Sequence, residues 1–260
     1  EQIDNTKKVT RDQVVNYFQN IMGSNNGFGT VLGNVDAKTA ANSLESTFGK
    51  WTAKSKSVLI NPTFFDTKKI DKNFITPDKE NAMAFGMESF KMDQKSADYP
   101  AFLLANEILG SGGFLSARLP MRLREKEGIS YGVGSFINIP VSNDVASWGY
   151  YALLNPTKRD AVEKAVKEEV ALALKDGFTA DEVMTNKKSY ANIQKTMLGM
   201  DNTLINLVNK KLQYGVSLDE YDVLNSKIEN LKVEEVNAAL KKYLTLDRLT
   251  SVYAGDFNKK

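Results

Sequence analysis

Val14, Tyr17, Phe18 and Ile21 fall at intervals of three and four residues, the spacing of one helix face. Thr10-Arg-Asp-Gln13 just ahead of them has the form of a capping box, so the first helix starts there. The apolar run from Phe28 to Leu32, closed by Gly33, reads as a short strand. Asp36 then caps a helix with Ala40, Leu44, Phe48 and Trp51 on one side. Residues 52–73 are polar, with lysine clusters and Pro62, and read as a linker, set at 56–73 in the domain division.

A second series of elements follows. A strand runs from about Ala82 to Phe90, and Asp98 with Pro100 opens a helix that continues to Leu109. Ser116 opens the next helix, which Gly128 stops. Strands are expected at Tyr131 to Ile139 and at Ala146 to Leu154. Pro156 precedes a helix rich in Ala and Val that ends at Gly177. Thr179-Ala-Asp-Glu182 is a second capping box, opening a long helical region. The chain closes with a helix from about Val233 to Leu244 and a strand from Leu249 to Ala254, before Gly255.

The two ends of the chain resemble each other. Placing Gly33 on Gly255 (255 − 33 = 222) sets Asp12-Gln13-Val14 on Glu234-Glu235-Val236 without a gap. Tyr17-Phe18 then falls on Ala239-Leu240, and GTVLGNVD on SVYAGDFN. A shared helix, strand and Gly-Asn/Asp ending points to duplication. Residues 1–55 would then be the helix-strand-helix tail of one domain copy and 74–260 most of a second. The apolar faces that hold Val14, Phe18 and Phe48 are expected to be covered by residues 74–260 or by another copy of the chain.

Composition narrows the chemistry. With 260 residues, 42% of them hydrophobic, the chain is long enough for a real core. No run of eighteen apolar residues is present, so no helical membrane span is expected. The formal charge of +2 is too balanced to suggest nucleic acid. Cysteine and histidine are both absent, which removes a thiolate or imidazole metal site, a cysteine nucleophile and any Ser-His-Asp triad. Adjacent acids such as Glu168-Glu169 and Glu234-Glu235 diverge around a helix and do not converge on one ion. No metal is expected in this chain.

The segment ILGSGGFLSARLPMRLREKEGISYGVGS, from Ile108 to Ser135, carries the remaining chemistry. It sets Arg124 and Tyr131 seven residues apart across a helix–strand junction. A guanidinium and a phenol brought together there can grip one carbonyl oxygen. Alternation places Tyr131, Val133 and Ser135 on one face of the strand. Spacing alone favours a plainer reading, with Arg124 a cation near the negative helix end and Tyr131 a core aromatic. The turn Gly110-Ser-Gly-Gly113 precedes a helix, but no Gly-Lys-Ser/Thr follows it. A tight turn is the plainer reading there, and a nucleotide site the weaker one.

The motif Ser116-Ala-Arg118-Leu119, followed by Leu123-Arg124-Glu125-Lys126-Glu127-Gly128-Ile129-Ser130-Tyr131-Gly132-Val133, resembles the non-catalytic homologous domain of the pitrilysin/insulinase-type zinc peptidases. Val31-Leu32-Gly33-Asn34-Val35-Asp36 with Phe48-Gly49-Lys50-Trp51, and Phe178-Thr179-Ala-Asp-Glu182, extend the likeness over nearly the whole chain. The resemblance implies an α+β, two-layer fold, a mostly antiparallel sheet packed with helices, in a clamshell of homologous domains. It implies that Arg124 and Tyr131 contact the substrate carbonyl and its oxyanion, with Gly112 and Gly113 as further substrate-binding residues. Zinc, bound by an inverted His-x-x-Glu-His, would belong to a homologous catalytic half on the same or a separate chain. This chain, without histidine, would be inert alone. The implied partners are that half and a peptide substrate, with neither nucleic acid nor membrane span, and a homodimer is a further arrangement. The bacterial flavour of the match suggests export to the periplasm if a signal peptide precedes Glu1. The alternative within the same fold is a non-peptidase scaffold or assembly subunit.

Overall fold

The computed structural model describes residues 2–258 except Asn26, Ser57, Leu59, Thr67 and residues 113–115. The chain forms two compact units, Glu1–Asn61 with Met197–Leu218, and Pro62–Thr196 with Asp219–Lys260.

The larger unit is built on a five-stranded sheet in the order β1-β5-β2-β4-β3. Its strands are β1 (Asp71–Ile75), β2 (Ala82–Lys91), β3 (Ser130–Asn138), β4 (Val145–Leu154) and β5 (Thr250–Gly255). All neighbours are antiparallel except β1 and β5, which run parallel. β1 is a correction to the sequence reading, because it begins inside the segment taken for a linker. Its residues are exposed and lack alternating apolarity, and only pairing with β5 makes them a strand.

Strand alternation determines what each face does. Ala82, Ala84, Glu88 and Phe90 of β2 share the covered face with Trp148, Tyr150, Ala152 and Leu154 of β4 and with Ser251 and Tyr253 of β5. Met83, Phe85 and Met87, with Tyr151 and Leu153, lie on the other face and stay partly exposed. The covered face packs against a helical layer. This layer includes α4 (Tyr99–Asn106), α5 (Arg118–Pro120), α6 (Arg159–Asp176) and α10 (Val233–Tyr243). Phe102, Leu104, Leu119, Leu123, Val166 and Leu240 fill the space between. Polar groups in this core are largely paired, as burial demands. The Tyr150 hydroxyl lies 3.1 Å from Ser251 Oγ, and Ser135 Oγ donates to Asn106 Oδ1 at 2.7 Å.

Two helices run differently from the sequence reading. α4 ends at Asn106 and continues as a π-helical turn, Glu107–Ser111. The helix expected from Ser116 to Gly128 is α-helical only over α5, and Met121–Lys126 is again π-helical. The capping box at Thr179 forms as expected, opening α7 (Ala180–Leu198): Glu182 N donates to Thr179 Oγ1 and Thr179 N to Glu182 Oε2. α9 (Glu220–Asn230) completes the helices of this unit.

The smaller unit contains α1 (Gln2–Lys7), α2 (Arg11–Asn20), α3 (Ala37–Phe48) and α8 (Asp201–Tyr214). Both expected caps form: Thr10 and Gln13 make a capping box on α2, and Asp36 accepts the Thr39 N–H on α3. Ser24 Oγ donates to the carbonyls of Phe48 and Trp51, and the Trp51 ring stacks on Phe18 at 5.0 Å. Residues 28–32 are not a strand. They have the apolar composition of one, but a strand exists only within a ladder, and no described strand pairs with them. None of the described residues of this unit is buried, and Val14, Phe18 and Phe48 stay 57%, 49% and 45% exposed.

Two outcomes follow from this burial pattern. A unit without buried residues opens more readily than one with a core. Brief proteolysis of the native chain is expected to cut first within Glu1–Asn61 or Met197–Leu218, as mass spectrometry of early fragments would show; first cuts in β2 or β4 would contradict it. The second outcome concerns Glu88, whose side chain is fully buried. Burial raises its carboxyl from 4.5 to about 7, despite the Thr245 N–H bonds and the Arg248 guanidinium nearby. Between pH 4.5 and 7 the folded chain holds a proton that the unfolded chain has released, so stability from this group falls as pH rises. Urea titrations over that window are expected to show Glu88→Gln gaining on the parent by about 3 kcal/mol at the upper end. Parallel profiles for the two proteins would rule out this role.

Candidate functional site

Arg124 belongs to the π-helical turn Met121–Lys126, and Tyr131 is the second residue of β3. Between them Gly128 adopts φ 61°, a left-handed conformation that glycine takes without steric cost. No atom lies within 4 Å of where a Cβ would sit there, so backbone conformation rather than space calls for glycine.

β3 then departs from simple alternation. Ser130 pairs with Leu154 and Gly132 with Leu153, so Tyr131 is the extra residue of a β-bulge. Bulges re-aim side chains. Ser130, Val133 and Ser135 are buried, whereas Tyr131 is 79% exposed. The expectation that Tyr131 shares a face with Val133 and Ser135 is corrected accordingly, and so is the plainer reading of Tyr131 as a core aromatic.

The structure brings Arg124 and Tyr131 together, with the guanidinium carbon 5.5 Å from the centre of the phenol ring. That is within cation–π range. Arg124 Nε also lies 3.5 Å from Glu125 Oε1, a pair in which both side chains are more than one-third exposed. Such surface pairs contribute little, so this one is a weak competitor for the guanidinium.

The glycine turn lies beside the edge strand. Gly110 and Ser111 end the π-helical extension of α4 rather than opening a new helix, which leaves no helix N-terminus for a phosphate at these two residues. Gly112 is placed tightly: a Cβ there would sit 2.6 Å from Glu107 O and 2.9 Å from Asn186 Oδ1. Gly113 lies outside the described residues. A cavity of about 290 Å³ is lined by Gly110, Ser111, Gly112, Val133, Ser135 and Tyr151. Burial raises the Glu107 carboxyl above the usual range, opposed by a 2.6 Å bond from Ser111 Oγ.

A second set of side chains, not visible as a site in the sequence, braces the helix beneath Arg124. Arg118 grips Glu182 with two bonds, Nε to Oε1 at 2.6 Å and NH2 to Oε2 at 2.8 Å, and donates to Gly177 O at 2.9 Å. Its guanidinium lies 4.9 Å from the Phe178 ring centre. Burial alone would raise the Glu182 carboxyl, but Arg118 and the Thr179 N–H outweigh it and hold it below its ordinary value. Asn237 bonds both backbone groups of Phe178 and so fixes the loop that Arg118 leans on. The Thr-x-x-Glu capping box was legible, but its pairing with a residue 64 positions away was not.

These residues do not fit a zinc site. Zinc is held by imidazole, thiolate and carboxylate, and the chain has no histidine or cysteine. Among the described residues no three acidic side chains gather in a way that would hold a metal. No described helix is long and apolar enough to cross a membrane.

This α+β domain has identifiable relatives. The family description "Peptidase M16 inactive domain" matches residues 8–190, and the chain belongs to that family. An uncharacterized zinc protease of Bacillus subtilis is 22% identical over 219 residues, 84% of this chain and 51% of that protein. A crystal structure of a peptidase M16 inactive domain from Pseudomonas fluorescens matches with a TM-score of 0.74 at 24% identity, over 95% of this chain and 57% of that one. A protease from Helicobacter pylori matches with a TM-score of 0.79 at 16% identity, over 97% of this chain and 60% of that one. The structural likenesses show the fold. The chain spans between 28% and 51% of the length of the curated relatives it matches.

The Gly128 turn provides a test of the local geometry. Gly128→Ala is expected to cost about 1–2 kcal/mol in urea titration, and Gly128→Asn less, because asparagine tolerates the left-handed region. Equal stability of all three proteins would mean that the turn does not require a positive φ.

Proposed function

We propose that this chain carries the zinc-free, substrate-binding half of a zinc metallopeptidase that closes on peptides between two homologous halves. With β1 included, residues 71–260 would form that domain, 56–70 a linker, and 1–55 the tail of a preceding homologous domain. The observation that carries the reading is the meeting of Arg124 and Tyr131, with the phenol turned out of the core by the bulge.

The chemistry suits two donors aimed at one oxygen. The guanidinium offers five N–H groups, and the phenol offers one O–H. A peptide carbonyl set between them gains charge as it becomes tetrahedral, and both bonds strengthen as it does so. Gly112, whose missing side chain leaves room for Glu107 O and Asn186 Oδ1, would shape the turn beside that carbonyl, and Gly113 is assigned with it. Zinc and the water it activates would be held by the catalytic half, in line with the relatives named zinc proteases. This chain alone would not hydrolyse peptides.

The test uses the full-length peptidase with its catalytic half. Arg124→Ala and Tyr131→Phe are each expected to lower kcat/KM, by about 10²–10³-fold for the arginine, with zinc content unchanged. Parent-like turnover in both variants would remove the assigned role. A parent protein without any peptidase activity would favour a scaffold of the same fold.

A further inference from the structure

The turn that bears Arg124 is wider than an α-helix. Glu127 N donates to Arg122 O at 3.0 Å and Ile129 N to Leu123 O at 2.8 Å, steps of five and six residues rather than four. Turns of this kind are rare, and side-chain contacts hold this one. Arg122 Nε donates to Glu127 Oε1 at 2.9 Å. On an α-helix, residues five apart point about 140° away from each other, so this ion pair selects the wide turn over the regular one. The same guanidinium donates to Glu168 Oε2 and lies 3.6 Å from Glu169 Oε2, both on α6. Glu168 and Glu169 thus converge on one guanidinium although they are adjacent on their helix, because its nitrogens are spread in a plane. The Arg122 side chain is only 19% exposed, and bonding to it holds Glu168 below the ordinary carboxylate value.

We infer that Arg122 is a positioning residue: by clamping Glu127 and the Glu168–Glu169 pair, it holds the wide turn that sets Arg124 over Tyr131. The functional weight of this inference rests on the reading of Arg124 and Tyr131 given above. Residues two apart on a helix point to roughly opposite sides. Anchoring Arg122 to α6 therefore turns Arg124 away from α6, toward the start of β3. Neither Arg122 nor its partners need touch the substrate.

The experiment compares Arg122→Met, Arg122→Lys and Glu127→Gln in this chain by NMR, following the Arg124 Nε–Hε signal and the Tyr131 ring signals. Arg122→Met is expected to shift both sets together while the amides of β2 and β4 keep their positions. Arg122→Lys, which keeps the charge but not the fork, is expected to restore the parent positions in part. Glu127→Gln removes only the contact that spans the wide turn, and a smaller shift in the same direction is expected. It decides the matter if Arg122→Met does not fold. Arg124 and Tyr131 signals at parent positions in the folded variants would overturn the inference. In the full-length peptidase, Arg122→Met is expected to lower kcat about tenfold or more with little change in KM. Shifted signals with parent turnover would keep the positioning role and overturn the carbonyl-binding reading. Unmoved signals with lowered turnover would overturn the positioning role.

Discussion

A five-stranded sheet covered on one face only is the constraint from which the rest of this structure follows. Helices bury one face around Trp148, Tyr150 and Tyr253, and the apolar side chains of the other face remain in partial contact with solvent. One-sided burial makes strand register matter, because a slip by one residue exchanges the two faces. At the end of β3 the chain uses that rule locally. A single inserted residue at Tyr131 turns one aromatic from the buried face to solvent and leaves Val133 and Ser135 in the core. The bulge thus converts a core position into an exposed one without disturbing the strand beyond it.

The helix next to that bulge is held by charge. Arg118 and Arg122, one α-helical turn apart in sequence, reach different acidic partners: Glu182 at the start of α7, and Glu168 and Glu169 on α6. Partly buried, multidentate arginine contacts of this sort impose geometry more than they add stability. Here the geometry is that of a short helix whose last turns are π-helical. Function, on the proposed reading, uses Arg124 from the same helical segment, while Arg118 and Arg122 serve to hold it.

Much of the fold was legible in the residues. Strands β2, β3, β4 and β5 and helices α6 and α10 announced themselves by alternation, periodicity and Gly or Pro boundaries, and three capping motifs formed as their patterns indicate. The misses share one physical cause. β1 and residues 28–32 have local compositions that mislead in opposite directions, because a strand is created by its neighbour in the ladder. The π-helical turns and the bulge each shift a register by one residue, and periodicity carries no signal for such a shift. Glu88 is buried against Thr245 and Arg248, residues that follow it by more than 150 positions, and no local pattern marks such partners.

By itself, the sequence determined the family, the lack of histidine and cysteine ligands, and Arg124 and Tyr131 as the candidate pair. Those are matters of residue type and motif spacing, and residue type decides which donors and ligands exist at all. The tertiary structure alone decided where the pair points. A wide turn braced from α6 and a bulge in an edge strand bring the guanidinium within 5.5 Å of an exposed phenol. Both features depend on partners distant in sequence, and local pattern cannot encode the contacts that hold them.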